Sequence, residues 1–230
     1  MLLSILASLL HSTTASAGEP VVLRDSYAGN LDYTLTGGTL LTNSDCGADM
    51  NQRSNSENLD SIPSGATVKA AYLYWAGSYN PSSTVNTPDS TIRFQTPSSN
   101  SLVTANRNYV DNYIGDSTEA YFSGIADVTS QVQSGGNGLY GISELDVHTG
   151  DPHCGYSTIV AGWAMIVVYE QDSEPFRVVN IFDGFQYYYG SSISLTPNNF
   201  EISSSPSGKH SHITWEGDDA NSGSRNGFNE

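Results

Sequence analysis

Positive charge is what this chain has least of. Its 230 residues include 8 Lys and Arg against 24 Asp and Glu, a formal charge of −16, and only Lys69 and Lys209 are lysines. So acidic a surface repels phosphate backbones and anionic bilayers, which argues against nucleic acid and lipid headgroups as partners. Long apolar runs are also missing. No segment after residue 17 reaches the ~18 apolar residues that a membrane helix needs, so no membrane insertion of the mature chain is expected. Hydrolase signatures are missing too. There is no G-x-S-x-G and no H-E-x-x-H, and "GYSTI" lacks the second glycine of a nucleophile elbow. Carboxylates are many, but nothing singles out the pair a glycosidase would use. A secreted hydrolase is therefore the weakest reading, and the expectation is a protein without catalytic activity.

Cysteine is nearly absent: the chain has Cys46 and Cys154 and no others. Two cysteines cannot build an all-cysteine zinc site, and neither lies in a C-x-x-C pair. An even count in an exported chain argues for a disulfide over free thiols. Such a bridge would close a loop of over 100 residues, a constraint worth about 4–5 kcal/mol in the loop-entropy model. Export itself is read from residues 1–17. "LLSILASLL" is too short to span a bilayer, and "ASA" at Ala15–Ala17 has the small-x-small form of a signal-peptidase site, although the basic n-region is missing. The mature part, 18–230, is expected to be a single secreted or cell-surface domain. Its polar end, "WEGDDANSGSRNGFNE", has no closing strand, so the domain is expected to be truncated there, with further domains downstream in the full-length protein.

Helical periodicity is almost absent, and what remains is strand and turn chemistry. Short β-branched or aromatic runs alternate with turn signals such as "TGG", "PSG", "YNPSS", "SGGNG" and "DSEP". The runs predict strands at Val21–Arg24, Asp32–Leu35, Thr67–Gly77, Thr91–Gln95, Tyr109–Ile114, Ala120–Ala126, Gly138–Leu145, Thr158–Tyr169, Arg177–Phe182, Ser192–Thr196, Phe200–Ser203 and Ser211–Trp215. One short helix is predicted in "ADVTSQVQSGGNG", with Asp127 as its cap, Val128 and Val132 facing inward and Gly135–Gly136 ending it. Many short strands at this spacing indicate an all-β, jelly-roll-like antiparallel β-sandwich with long loops.

Two strands break the usual alternation of apolar and polar residues. "KAAYLYWAGSYN" would carry Ala70, Tyr72, Tyr74 and Ala76 on one face and Ala71, Leu73, Trp75 and Gly77 on the other. "STIVAGWAMIVVYE" lacks a polar face in the same way. Both are expected to be central, with Leu73 and Trp75 in the sandwich core and the second face covered. The polar segment 42–64 and the loop 148–156 are the expected cover, pinned together by Cys46 and Cys154 over Tyr72 and Tyr74.

Three constellations could bind something. His148, Asp151 and His153 beside Cys154, together with His210 and His212, supply metal-ligand chemistry, but their spacing matches no zinc signature. "EGDDANSG" offers Glu216, Asp218, Asp219 and Asn221 as oxygen ligands for calcium, yet fails the D-x-[DN]-x-[DN]-G template; Asp45 and Asp49 are a second oxygen-rich loop. No other cofactor is indicated. "FDGFQYYYGSS" carries Tyr187, Tyr188 and Tyr189, and a run of tyrosines near a sheet surface suits stacking on sugar rings or gripping a protein. The competing reading is that Phe185, Tyr187 and Tyr189 simply fill the core.

Taken in order, "VKAAYLYWAGS", "ADVTSQVQSGGNGLY", "STIVAGWAMIVVYE", "NIFDGFQYYYGSS" and "TWEGDDANSGSRNG" resemble the N-terminal domain of large exported bacterial proteins that continue into tandem immunoglobulin-like conserved repeats. The resemblance implies a secreted, β-rich, adhesin-like surface module with a glycan or protein partner and no catalytic residues to carry over. The alternative is a lectin-like carbohydrate-binding module using Tyr187–Tyr189 and the acidic loops, assisted by calcium; Tyr72 and Tyr74 are the further ligand-binding candidates should their cover be absent.

Overall fold

The computed structural model describes residues 18–41, 54–83, 87–112, 118–156, 158–187, 204 and 208–215. The strands run β1 (Glu19–Thr39), β2 (Ser54–Leu59), β3 (Thr67–Tyr79), β4 (Thr91–Gln95), β5 (Asn100–Thr104), β6 (Arg107–Asn112), β7 (Ala120–Asp127), β8 (Gly138–Ser143), β9 (Ala161–Glu170) and β10 (Phe176–Phe185). One short helix, α1 (Thr129–Gly135), links β7 to β8, and a single helical turn, α2 (His153–Tyr156), precedes β9. A six-stranded sheet has the order β10-β1-β9-β3-β7-β6, and a four-stranded sheet the order β2-β8-β4-β5. Every pairing is antiparallel. Early strands pair with late ones in a nested way, β1 with β9 and β10, β2 with β8 and β4 with β5, which is the wound-up hairpin of a jelly roll. The fold is an all-β sandwich.

The two-faced strands are central, as their composition requires. β3 and β9 lie side by side in register, Trp75 opposite Trp163 and Leu73 opposite Met165. One face of the pair meets Ile92, Phe94, Tyr140 and Ile142 of the smaller sheet in a single core. Leu73 and Trp75 are 0% exposed there. Burial of each such side chain is worth about 1.5–3 kcal/mol. The indole N–H groups, which would be costly to leave unpaired, donate to Asp89 O from Trp75 and to Asn55 Oδ1 from Trp163, both at 2.8 Å.

The second face has a different cover from the expected one. Tyr72 and Tyr74 lie with Ala70, Leu31, Tyr109, Ile125, Val168, Val179 and Ile181 in a second core inside the larger sheet. The sheet curls until its two edge strands face each other, so β1 and β10 form the cover. Ile213 and Trp215 add to it. A cover pinned by Cys46 and Cys154 over Tyr72 and Tyr74 is therefore corrected. The loop carrying Cys154 packs farther along the sheet, where His153 meets Tyr121 edge-on at 5.3 Å.

Other boundaries also move. Val21–Arg24 and Asp32–Leu35 are two parts of one 21-residue strand that changes partner from β10 to β9 at Leu31. The polar segment 42–64 contains β2, and "NSLVT" forms β5 where no strand was predicted. Ser211–Trp215 is described but is not a strand. The predicted strands 192–196 and 200–203 lie outside the described residues. Helix α1 forms where predicted, with Val128 and Val132 at 0% exposure. Its N-cap is Val128 and not the expected Asp127, whose carboxylate instead accepts the Thr129 N–H at 2.9 Å from one residue earlier, and Gly136, at φ +61°, turns the chain out of the helix.

Candidate functional site: a polar cavity in the curled sheet

The larger sheet concentrates buried polar groups on its inner face, and strand register explains which. Directly paired antiparallel residues project to the same side. Tyr74 is opposite Ile125, and Ile125 is opposite Arg107. Tyr72 is opposite Asp127 in the next row. Asn106, just before β6, accepts the Asp127 N–H at 2.8 Å and fixes the end of that row. From across the interior β1 contributes Arg24 and Asp25. These neighbours in sequence would point to opposite faces of a regular strand. A register shift between Leu23 and Asp25 lets both side chains reach inward.

Asp183 of β10 is the centre of the charge cluster. Its side chain is 3% exposed and accepts from Arg107 Nη2 at 2.6 Å and from the Tyr109 hydroxyl at 3.1 Å. It also pairs with Arg24 Nε. Arg24 Nη2 donates in turn to the Tyr109 hydroxyl at 2.8 Å. Since β6 and β10 are the two edges of the sheet, this carboxylate clasps the edges together. The hydrogen bond to Asp183 is the main reason the Arg24 guanidinium is held above its usual range. Beside the clasp, Tyr72 donates to Asp25 Oδ2 at 2.9 Å, and its hydroxyl shares a 2.7 Å hydrogen bond with that of Tyr27.

A cavity of about 250 Å³ opens next to these groups, lined by Asp25, Tyr72, Asn106, Arg107, Ile125 and Asp127. Two polar atoms in its vicinity are buried without a hydrogen-bond partner among the described residues: Arg107 Nε and the hydroxyl of Tyr74. Buried polar groups are rarely left so.

Burial holds back the ionisation of the interior tyrosines, moving it to higher pH. It is the largest cause for Tyr72 and Tyr74, ahead of the hydrogen bonds and charges around them. It also pushes Tyr140, in the other core, up to about 12. A phenol that ionises less readily folded than unfolded stabilises the fold fully below its unfolded value near 10, and that stability is lost as pH rises above it. Unfolding free energy should therefore be flat from pH 8 to 9.5 and fall steeply above 10. Tyrosinate absorbance of these residues should appear together with loss of β-sheet circular dichroism. Full tyrosinate absorbance with the fold intact at pH 11 would contradict this.

No curated protein and no solved structure matches the chain. A family model described as "Protein of unknown function (DUF3344)" matches residues 18–226. The chain belongs to that family.

Of the residues expected to form a site in this DUF3344 member, Tyr72 and Tyr74 lie in the larger sheet's interior. Tyr187 is half-buried and stacks on Tyr121 at 5.4 Å, beside Phe185 and Trp215. That is the core-filling role, so Tyr187 is not an open platform. Tyr188, Tyr189, Glu216, Asp218, Asp219, Asn221, Asp45, Asp49 and Cys46 lie outside the described residues. Cys154 sits on α2, and no cysteine among the described residues is free. His148 and His153 approach each other at 5.6 Å, and His210 stacks on His212 at 5.8 Å. No three His, Cys, Asp or Glu side chains among the described residues are grouped to hold a metal. The described helices include none long and apolar enough to cross a membrane.

Arg24, Asp25, Arg107 and Asp183 were not singled out by sequence reasoning, and Asp127 was marked only as a helix cap. The scarcity of cations was the usable signal: an arginine within a strand of so acidic a chain has many carboxylates to choose from.

Proposed function

We propose that this DUF3344 protein is an exported, non-catalytic structural or adhesion module of the cell surface, with a Cys46–Cys154 bridge in the mature chain and further domains downstream. The observation that carries the reading is the use made of buried charge. Asp183, Arg24 and Arg107 bind one another across the sheet edges, and Tyr109 completes the set. Groups that could serve acid–base chemistry are thus committed to holding the sheet curled. A sheet whose two edge strands are clasped to each other also offers less open edge for aggregation, which suits a surface component. A carbohydrate-binding reading is favoured by a separate observation, the polar cavity, and not by the tyrosine run.

Two measurements test the proposal. The intact mass of the protein recovered from its native cell surface or medium should correspond to a chain starting at Gly18 with two hydrogens fewer than its reduced form. A chain starting at Met1, or one with two titratable thiols, would overturn export or the bridge. Cells displaying the protein should attach to surfaces or to one another more than cells lacking the gene. Equal attachment would remove the adhesive role.

A further inference from the structure

We infer that the cavity between Asp25, Tyr72, Asn106, Arg107 and Asp127 binds a neutral, polyhydroxylated ring, the chemistry of a monosaccharide unit in a glycan. The argument rests on which hydrogen-bonding positions the protein leaves open there. Asp25 accepts from Tyr72 through Oδ2, and Asp127 accepts from Thr129 through Oδ1. The second oxygen of each carboxylate has no partner among the described residues. Asn106 is engaged through its carbonyl oxygen, which leaves its amide N–H donors open. Arg107 is engaged with Asp183 through Nη2, while its buried Nε–H has no partner. Unused acceptors and unused donors therefore line one small space, with Asn106 and Asp127 on its exposed side and Arg107 Nε buried.

This mixture discriminates among ligands. A simple cation would satisfy the two carboxylates but would meet the Arg107 guanidinium. An anion would satisfy Arg107 but would be opposed by Asp25 and Asp127 in a strongly acidic protein. A hydroxyl group donates once and accepts as well, so adjacent hydroxyls on a ring can give to a carboxylate and take from Nε–H or the amide. Ile125 offers an apolar surface for the C–H side of such a ring. The volume of about 250 Å³ lies just below the ~300–1,000 Å³ typical of pockets for drug-sized ligands, which limits the occupant to something small.

A second feature lies one strand away from Ile125. Tyr74, 6% exposed, is opposite Ile125, and its hydroxyl has no partner among the described residues. The cost of leaving such groups unpaired makes a polar occupant favourable and an apolar one unfavourable.

The ligand assignment depends on the surface-module reading only for where the sugar would be met. The probe is the disulfide-intact mature chain on an array of neutral and charged glycans, followed by saturation-transfer NMR with methyl glycosides of glucose, galactose, mannose and N-acetylglucosamine. At least one neutral glycan should be retained. Asp25→Asn and Asp127→Asn keep an oxygen for Tyr72 and for the Thr129 N–H while removing the charge, and each should weaken binding at least about tenfold. Asn106→Ala should weaken it too, whereas Val178→Ser, on the outer face of β10, should bind as the parent does. Matched circular dichroism and melting curves would show that the variants are folded. Calcium and inorganic phosphate are competitor arms. Displacement of bound sugar by phosphate at constant ionic strength, or binding of calcium that Asp25→Asn abolishes while no neutral glycan binds, would overturn the assignment. Array silence toward neutral glycans, or binding indifferent to all three cavity variants, would do the same. If cells displaying the protein still attach in that event, the surface-module reading survives the failure of this one.

Discussion

Replacing Asp183 with alanine should destabilise the protein by about 3 kcal/mol. Its carboxylate is 3% exposed and accepts from two guanidinium groups that are 28% and 29% exposed and from a tyrosine hydroxyl. Removing one partner of a buried ion pair typically costs about 3–5 kcal/mol, because the remaining charge keeps its desolvation penalty without its compensation. The partial exposure of both arginines sets the expectation at the lower end, since water can reach the orphaned guanidinium groups. The same physics predicts asymmetry. The combined variant Arg24→Met, Arg107→Met, Asp183→Leu removes charge and compensation together, and should lie closer in stability to the parent than Asp183→Ala does. Urea unfolding of the three proteins at pH 7 measures this. A loss below 1 kcal/mol for Asp183→Ala would mean that the curl of the sheet is held by its apolar interior alone. A larger m-value change in Asp183→Ala than in the triple variant would indicate that the edges part before the sandwich core opens.

The sandwich was legible because its central strands have no polar side. "AYLYWAG" and "AGWAMIVVY" can only be buried on both faces, and Leu73 and Trp75 sit in the core assigned to them. The identity of the second cover was not legible. It depends on a bulge that turns consecutive Arg24 and Asp25 inward, and on contacts 159 and 76 residues apart in sequence that bring both arginines to Asp183. In "IFDGF", Asp183 reads as a turn residue between aromatics, and no local pattern marks it as a buried acceptor. β2 escaped for a related reason. "SNSENL" has no strand propensity to speak of, and it is a strand because β8 supplies its partner groups in register. The cavity shares this origin: its lining comes from β1, β3, β6 and β7, and only register brings them to one place.

Gly124→Ala is the second large effect, and it should reach about 3 kcal/mol although it adds a single methyl group. Gly124 lies opposite Trp75 on the adjacent strand, facing the sandwich core. It is not among the glycines with positive φ, so backbone freedom does not explain it. Space does. A Cβ on Gly124 would overlap the Trp75 indole at Cε2, Cζ2 and Nε1. That ring cannot easily yield, being 0% exposed and tied through Nε1 to the Asp89 carbonyl at 2.8 Å. Overpacking a dense core generally costs about 1–3 kcal/mol, and the rigid neighbour places this case at the upper end. The mechanism predicts coupling. Trp75→Leu opens a cavity and should itself cost about 2–4 kcal/mol, but in that background Gly124→Ala has room and should cost under about 1 kcal/mol. The double-mutant cycle should therefore give an interaction energy of about 2 kcal/mol, within the range for residues in direct contact. Additivity within about 0.5 kcal/mol would show that the glycine serves the backbone pairing of β7 with β3 and β6, not the indole laid over it.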